Sequence, residues 1–247
     1  MSVNEKTCLV TGSSRGIGRG IATRFGEHGA NVVVNYRSSA AEAEDVVDEI
    51  ERLGGTAIAV QADITDRQEV EDMRSRVHDA YGPVDVLVNN AGITRDAKFS
   101  EMTAEEWEQV IDTNLNGAFH TTQAFFEDIK HAEHGRVVNI SSVIGKQGNF
   151  GQANYAAAKS GLFGLTRSLA LELVPYDATC NAVAPGYTET DMVKSVREDI
   201  QDEIREQIPL KRFATIEEIA SVVQFLAGKE SSYITGEVID VNGAMDL

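Results

Sequence analysis

The stretch TCLVTGSSRGIG, residues 7–18, decides the fold: a β-rich run enters a glycine turn, and the turn opens a helical pattern. Gly12, Gly16 and Gly18 let the backbone turn tightly and approach a pyrophosphate, whose charge then lies at the positive end of the following helix. Their spacing, Gly-x3-Gly-x-Gly, differs from the Gly-x-Gly-x-x-Gly of the general dinucleotide fingerprint. A ligand-free strand-to-helix turn would carry the same glycines, so the surrounding pattern decides between the two. Further β-rich runs at 31–36, 56–61, 84–89, 136–141, 178–184 and 237–242 alternate with helical stretches near 17–28, 41–53, 66–81, 103–130, 153–174 and 215–227. Apolar residues recur at threes and fours in those stretches, as in Leu162, Leu165, Leu169 and Leu173. The alternation predicts an α/β fold with a parallel sheet covered on both faces by helices, and β runs rich in Val and Ile agree. No repeat or Pro/Gly/Ser linker interrupts residues 1–247, so a single domain is expected. An acidic, helix-prone stretch at about 189–208 departs from the pattern and is expected to form a flexible flap over a substrate.

Composition narrows the function. Lys+Arg 22 against Asp+Glu 39 gives a formal net charge of −17, which disfavours a primary role on nucleic acid, whose phosphates demand clustered cations. Hydrophobic residues at 42% and charged residues at 25% are those of an ordinary globular chain. Cys8 and Cys180 stand far apart inside apolar runs, as small buried hydrophobes do, which predicts a reducing, cytoplasmic setting. No run approaches the ~18 apolar residues of a membrane span, and MSVNEKTCLVTG has no basic segment followed by an apolar one, so neither span nor export signal is expected. High acid with lysine scarcer than arginine suggests a surface made for a high-salt cytosol, although a solvated acidic face reads the same way. No His/Cys/Asp cluster has zinc-site spacing, so no metal is expected.

A carboxylate at the end of the second β run would accept from an adenine-ribose 2′-hydroxyl and repel a 2′-phosphate. The sequence instead has Tyr36-Arg37-Ser38, with Arg15 in the glycine turn. Two guanidinium groups could then converge on one phosphate with planar, bidentate geometry, which favours NADPH. Asp63, followed by Ile64, could accept from an adenine amino group or cap the next helix. Further along stand Asn90-Ala91-Gly92, Asn114, Ser141-Ser142, and Tyr155 with Lys159 four residues later, on one helical face. A phenol titrates near 10, so moving it to about 7 takes roughly 4 kcal/mol of differential stabilisation by nearby positive charge. Lys159 and an oxidised nicotinamide are the two charges able to supply it.

TGSSRGIG, NNAG, Asn114, Ser142 thirteen residues before Tyr155, YAAAK and Pro185-Gly186 together resemble the short-chain dehydrogenase/reductase family over essentially the whole chain. The resemblance implies a single-domain Rossmann fold with a seven-stranded parallel sheet in the order 3-2-1-4-5-6-7, in a homotetramer. It implies Tyr155 as catalytic acid, Ser142 (not Ser141) as hydrogen-bond donor to the substrate carbonyl, and Lys159 as the group that holds the nicotinamide ribose and lowers the tyrosine pKa. Asn114 would hold a water completing a proton relay to Lys159. The cofactor would lie on Gly12, Ser14, Arg15, Gly16, Ile17 and Gly18, and on Arg37, Asp63, Ile64, Asn90, Ala91 and Gly92. Tyr155, Lys159, Pro185, Gly186, Thr188 and Thr190 would complete its site. A non-catalytic NADP-binding regulator would be expected to lack part of the catalytic set, and a reductase of some other ketone stays open.

Within that family the chain is similar to reductases of 3-oxoacyl-acyl-carrier-protein and of acetoacetyl-coenzyme A. Asn149, Phe150, Gln152 and Tyr187, with Ser142 and Tyr155, would then contact a β-ketoacyl thioester, although Phe150 and Tyr187 could equally pack under the flap. Segments 185–194 and 208–213 look closer to the coenzyme-A enzymes, which act in polyhydroxyalkanoate synthesis. An acidic carrier protein needs a basic landing patch, and the likeness locates it where this chain has Glu133 and Tyr176. The expectation is therefore an acyl-coenzyme-A substrate held by Lys194, Arg197, Lys211 and Arg212, unless those cations pair with acids such as Glu198 or Asp199. The alternative is 3-oxoacyl-acyl-carrier-protein reduction in fatty-acid synthesis.

Overall fold

The computed structural model describes residues 3–194 and 197–246. Its strands are β1 (Thr7–Val10), β2 (Asn31–Tyr36), β3 (Thr56–Gln61), β4 (Val86–Asn89), β5 (Arg136–Ile140), β6 (Thr179–Pro185) and β7 (Val238–Val241). All pairings are parallel, in the order β3-β2-β1-β4-β5-β6-β7 that the resemblance implied. The helices are α1 (Gly16–Glu27), α2 (Ala40–Arg52), α3 (Arg67–Tyr81), α4 (Ala104–Ile111), α5 (Gly117–His131), α6 (Ile144–Gln147), α7 (Ala153–Leu173), α8 (Asp191–Lys194), α9 (Glu198–Gln207) and α10 (Ile216–Ala227).

Successive strand residues project to opposite faces, and both faces are covered. Cys8 and Val10 of β1 pack with Phe25 of α1, Ile50 of α2 and Val223 of α10, while Leu9 packs with Met73 of α3, Phe125 of α5 and Leu173 of α7. Burial on both sides explains why the strand sequences are continuous apolar runs. Cys8 and Cys180 are buried, unpaired thiols whose ionisation burial pushes well up.

Two details depart from the sequence reading. The stretch 103–130 is not one helix: after α4 it widens into a π-helical segment, Asp112–Asn116, in which Gly117 N donates to Asp112 O, and α5 follows. The cap of α3 is Asp66, whose carboxylate accepts from Gln68 N and Glu69 N, so Asp63 is not the capping residue. The stretch at 189–208 contains α8 and α9, and α9 buries none of its residues. No helix among the described residues is long and apolar enough to cross a membrane.

The chain runs outward from β1 to β3 and then returns to β4 on the other side of β1. That reversal opens a crevice at the carboxyl ends of β1 and β4, the place where open parallel sheets bind ligands.

Candidate active site

Between β1 and α1 the chain makes a turn that only glycine accommodates at two points, Gly12 at φ +60° and Gly16 at φ +57°. A Cβ on Gly12 would stand 2.8 Å from Ala91 Cα, and one on Gly18 would stand 2.6 Å from Gly12 O. The turn is stitched to the NNAG loop: Asn90 Nδ2 donates to Thr11 O (2.9 Å) and Gly12 O (3.0 Å), and Asn90 N and Ala91 N both donate to Thr11 Oγ1. Asn90 therefore shapes the cradle with its own amide. Asn35 does the same from β2, accepting from Gly12 N (3.1 Å) and donating to Val60 O and Ala62 O. Sequence reasoning passed over Asn35, although a lone amide inside NVVVNY was the available signal.

The first turn of α1 holds no acidic side chain, so its free N–H groups face the turn unopposed. Ser14 is buried, Ile17 packs on the core, and Arg15 is exposed just before α1. Thr190 closes the turn from above, its methyl 3.7 Å from where a Gly16 Cβ would be. Thr188 is buried and tied to the backbone at Gly186 and Ala214. Pro185 and Gly186 hold their neighbours through Val143 N to Pro185 O (2.9 Å) and Gly186 N to Val241 O (3.0 Å). Beyond β2 and β3, Arg37 and Asp63 form an ion pair at 3.7 Å, beside Ile64, and Asp63 also accepts from Thr65 N and Thr65 Oγ1. A positive-φ cradle at a helix N-terminus, with an arginine and a carboxylate at its outer end, has the shape and donor set for a dinucleotide.

The second half of the site lies past β4 and β5. A Cβ on Gly92 would lie 2.4 Å from Asn114 Oδ1 and 3.4 Å from Lys159 Nζ, so those two side chains meet at this glycine. Asn114 is buried and its amide is committed both ways to Ile93, donating to Ile93 O and accepting from Ile93 N, each at 2.8 Å. Asn89 and Asn139, neighbours across β4 and β5, share a buried network with Thr121, Thr122 and Thr166 that ties α5 and α7 to the sheet. From the sequence, Asn89 was read only as the first residue of NNAG, and Asn139 and the three threonines were not singled out.

The two adjacent serines have separate tasks. Ser141 Oγ donates to Lys159 O (2.8 Å) and so locks α7 to β5, whereas Ser142 Oγ accepts from Ile144 N (3.2 Å) and its hydroxyl favours ionisation of the Tyr155 phenol. Lys159 is buried one turn below Tyr155, its Nζ 5.6 Å from the ring centroid and donating to Ile140 O (2.8 Å). Burial brings the Lys159 ammonium down to about 8. Tyr155 is raised, first by burial and also by the Asp96 carboxylate, with Ser142 working the other way. In the protein alone the phenol therefore favours its protonated form.

The residues expected to touch substrate form the rim. Asn149 Nδ2 donates to Gln152 Oε1 and Gln152 Nε2 donates to Asp96 Oδ2, both at 2.9 Å. Phe150 is 83% exposed, and Tyr187 leans on Phe213 with ring centroids 6.2 Å apart. The cation cluster expected for coenzyme A is largely consumed by acids: Arg197 pairs with Asp199, Lys211 with Glu206, and Arg212 with Glu218, while the Lys194 side chain lies outside what the structure describes. The landing-patch argument also changes. Glu133 precedes the amino end of β5 and Tyr176 follows the carboxyl end of α7, so both lie at the end of the sheet opposite Ser142. Tyr155 stands near the start of α7, whose 21 residues span about 30 Å, and Tyr176 lies past its far end. Acidity at Glu133 thus says nothing about this chain's own active-site mouth. Lys130 stacks over the Tyr176 ring at 4.8 Å.

The model of the short chain dehydrogenase family matches residues 6–201. The chain is 48% identical over 241 residues to a protein of Staphylococcus epidermidis named 3-oxoacyl-[acyl-carrier-protein] reductase FabG, covering 98% of this chain and 99% of the relative. It is 48% identical over 240 residues to a protein of the same name from Staphylococcus aureus, covering 97% and 98%, and 45% identical over 246 residues to one from Aquifex aeolicus, covering 99% of each.

Proposed function

The chain belongs to the short chain dehydrogenase family, and on that premise we propose that it is an NADPH-dependent reductase of 3-oxoacyl thioesters whose acyl group is carried on acyl carrier protein. The observation that carries the reading is the Ser142–Tyr155–Lys159 arrangement beside the glycine cradle. The glycine turn from Gly12 to Gly18, with Ala91 and Gly92, would hold the pyrophosphate side, and Arg37 with Arg15 would bind a 2′-phosphate. When bound, the reduced nicotinamide supplies the hydride that reaches the ketone carbon. Tyr155 donates its phenolic proton to the carbonyl oxygen, and the Ser142 hydroxyl stabilises the developing alkoxide. A phenol held protonated by its surroundings suits a donor. The Lys159 ammonium, one turn below, then stabilises the phenolate left behind until solvent returns the proton. With the Asn114 side chain engaged by Ile93, a relay water would be held by backbone groups of the widened Asp112–Asn116 turn.

The carrier protein is favoured over coenzyme A for two reasons. The relatives named above bear that activity in their names across nearly full length. Of the cations expected to grip coenzyme A, Arg197, Lys211 and Arg212 are paired with carboxylates, and the acidic position that argued against the carrier lies at the far end of α7. The test is NADPH oxidation with acetoacetyl-acyl-carrier-protein beside acetoacetyl-coenzyme A, with NADH as cofactor control. A higher kcat/KM with the carrier thioester is expected. Preference for coenzyme A would return the protein to precursor supply for a storage polymer, and no turnover of either would refute the thioester reading.

A further inference from the structure

Asn154 immediately precedes Tyr155 in α7, is fully buried, and has every polar atom of its side chain in use. Its Nδ2 donates to Arg95 O (2.9 Å) and to Glu106 O (3.1 Å), while its Oδ1 accepts from Tyr155 N (2.8 Å). One amide thus joins the segment that follows the NNAG loop, the helix α4, and the first turn of α7. The segment itself is bound at every second residue. Asn114 holds Ile93 through both its N and its O, Asn154 holds Arg95, and Ala97 N donates to Gly151 O (2.9 Å). Of these ties, the one at Arg95 is made by the residue next to Tyr155. We propose that Asn154 is a positioning residue for the reduction: it fixes the Tyr155 phenol relative to Ala91 and Gly92, and so relative to the nicotinamide side of the cofactor.

Hydride and proton must reach the carbon and the oxygen of one carbonyl group, so the hydride donor and the phenol have to keep a set separation. The first is carried by the glycine cradle and the NNAG loop, the second by α7. Ser141 Oγ on Lys159 O and Lys159 Nζ on Ile140 O anchor the second turn of α7 to β5. Tyr155 lies in the first turn, whose N–H groups have no partner within the helix, and there Asn154 makes the tie. Asparagine is the residue type the position requires: two donors for two carbonyls and an acceptor for one N–H, on one short side chain. Aspartate would bring no donor and serine only one. Misplacement of a reacting group by about 1 Å costs up to about 100-fold in rate. The amide is neutral and the overall equilibrium is untouched, so reduction and the reverse oxidation slow together when it is lost.

The inference rests on the roles proposed for Tyr155 and the NNAG loop. It is tested in single turnovers of NADPH oxidation by stopped flow, well below Tm, with acetoacetyl-acyl-carrier-protein and with ethyl acetoacetate, a free 3-oxo ester that needs no carrier. Asn154→Ala removes all three bonds, whereas Asn154→Ser keeps an oxygen for Tyr155 N and has one donor for two carbonyls. Both variants should slow the single turnover by roughly 10- to 100-fold, with Kd for NADPH within about twofold of the wild type. A residue that served stability alone would lower Tm and leave the single-turnover rate unchanged, and that result overturns the proposal. A serine variant as fast as the wild type beside a slow alanine variant would reduce Asn154 to a cap of α7, which overturns it too. Should neither variant fold, the wild type labelled with 15N decides. The Asn154 side-chain amide protons must exchange with solvent as slowly as the buried backbone amides of β4 and β5, and fast exchange overturns the proposal. If ethyl acetoacetate is reduced and neither thioester is, the substrate reading fails and the Asn154 inference stands.

Discussion

Replacing Gly18 by alanine tests whether the glycine cradle is as tight as its geometry implies. The added Cβ would stand 2.4 Å from Asn90 Nδ2, 2.6 Å from Gly12 O and 2.9 Å from Ser13 Cα. The amide can swing away, but it then loses its bonds to Thr11 O and Gly12 O, each contributing about 1 kcal/mol. The two backbone neighbours cannot rotate away, so the start of α1 must retreat from the turn, at an overpacking cost of about 1–3 kcal/mol. Alanine's better helix propensity returns about 1 kcal/mol, leaving a net loss of about 2–4 kcal/mol. For a chain of this length that lowers Tm by about 5–15 °C. The same retreat withdraws the helix N–H groups from the phosphate position, so Kd for NADPH should rise at least about tenfold, which corresponds to about 1.4 kcal/mol. Gly164 supplies the control: it lies exposed in α7 with nothing within 4 Å of its Cβ position, and alanine there should stabilise by about 0.5–1 kcal/mol. Thermal unfolding and NADPH titration calorimetry read both effects. If Gly18→Ala melts with the wild type and binds NADPH equally well, the cradle is looser than these distances say and the reasoning fails.

Ser142→Ala should lower kcat by about 100-fold or more with NADPH affinity kept. Ser141→Ala should instead lower stability by about 1 kcal/mol, since the bond from its hydroxyl to Lys159 O is lost; exchanged phenotypes would reverse the assignment of the two serines. Arg37→Asp should raise KM for NADPH about tenfold or more and leave KM for NADH within about twofold, and equal changes in steady-state kinetics would reject Arg37 as the 2′-phosphate ligand. Lys159 has a folded pKa of about 8 against an ordinary 10.5. The unfolded chain therefore binds the extra proton between those values, and stability rises across that window. The cost of burying the charge, about 3 kcal/mol, is fully present below pH 8, so Lys159→Met should unfold above the wild type near pH 7 and lose that advantage by about pH 10.5. Melting curves at the two pH values that show no convergence would contradict this. The formal charge of −17 predicts a higher Tm in molar KCl than in dilute buffer, because screening reduces self-repulsion; identical curves would remove any link between acidity and salt.

The fold was legible because its cues are local. Valine-rich runs such as 31–36, buried on both faces, alternate with stretches of helical period, and the glycine turn at 12–18 marks the first crossover. Thr103 and Thr215, each three residues before a glutamate, begin α4 and α10 with capping boxes. The π-helical turn at 112–116 was not legible, since a one-residue widening leaves the apolar spacing nearly unchanged.

The order of motifs along the chain was enough to mark Ser142, Tyr155 and Lys159, because two of them share a helix turn and the third precedes it at a set spacing. Tertiary structure alone decided how the rest are used. It gave Ser141 its own task on Lys159 O, since a hydroxyl's partner depends on where α7 crosses β5. It moved Glu133 and Tyr176 to the far end of the sheet, because strand direction and the length of α7, not sequence distance from Tyr155, set which groups reach the mouth. It also tied Asp96 to Gln152 from a separate loop. Charge and hydrogen bonding act through space, and a sequence records only neighbours along the chain.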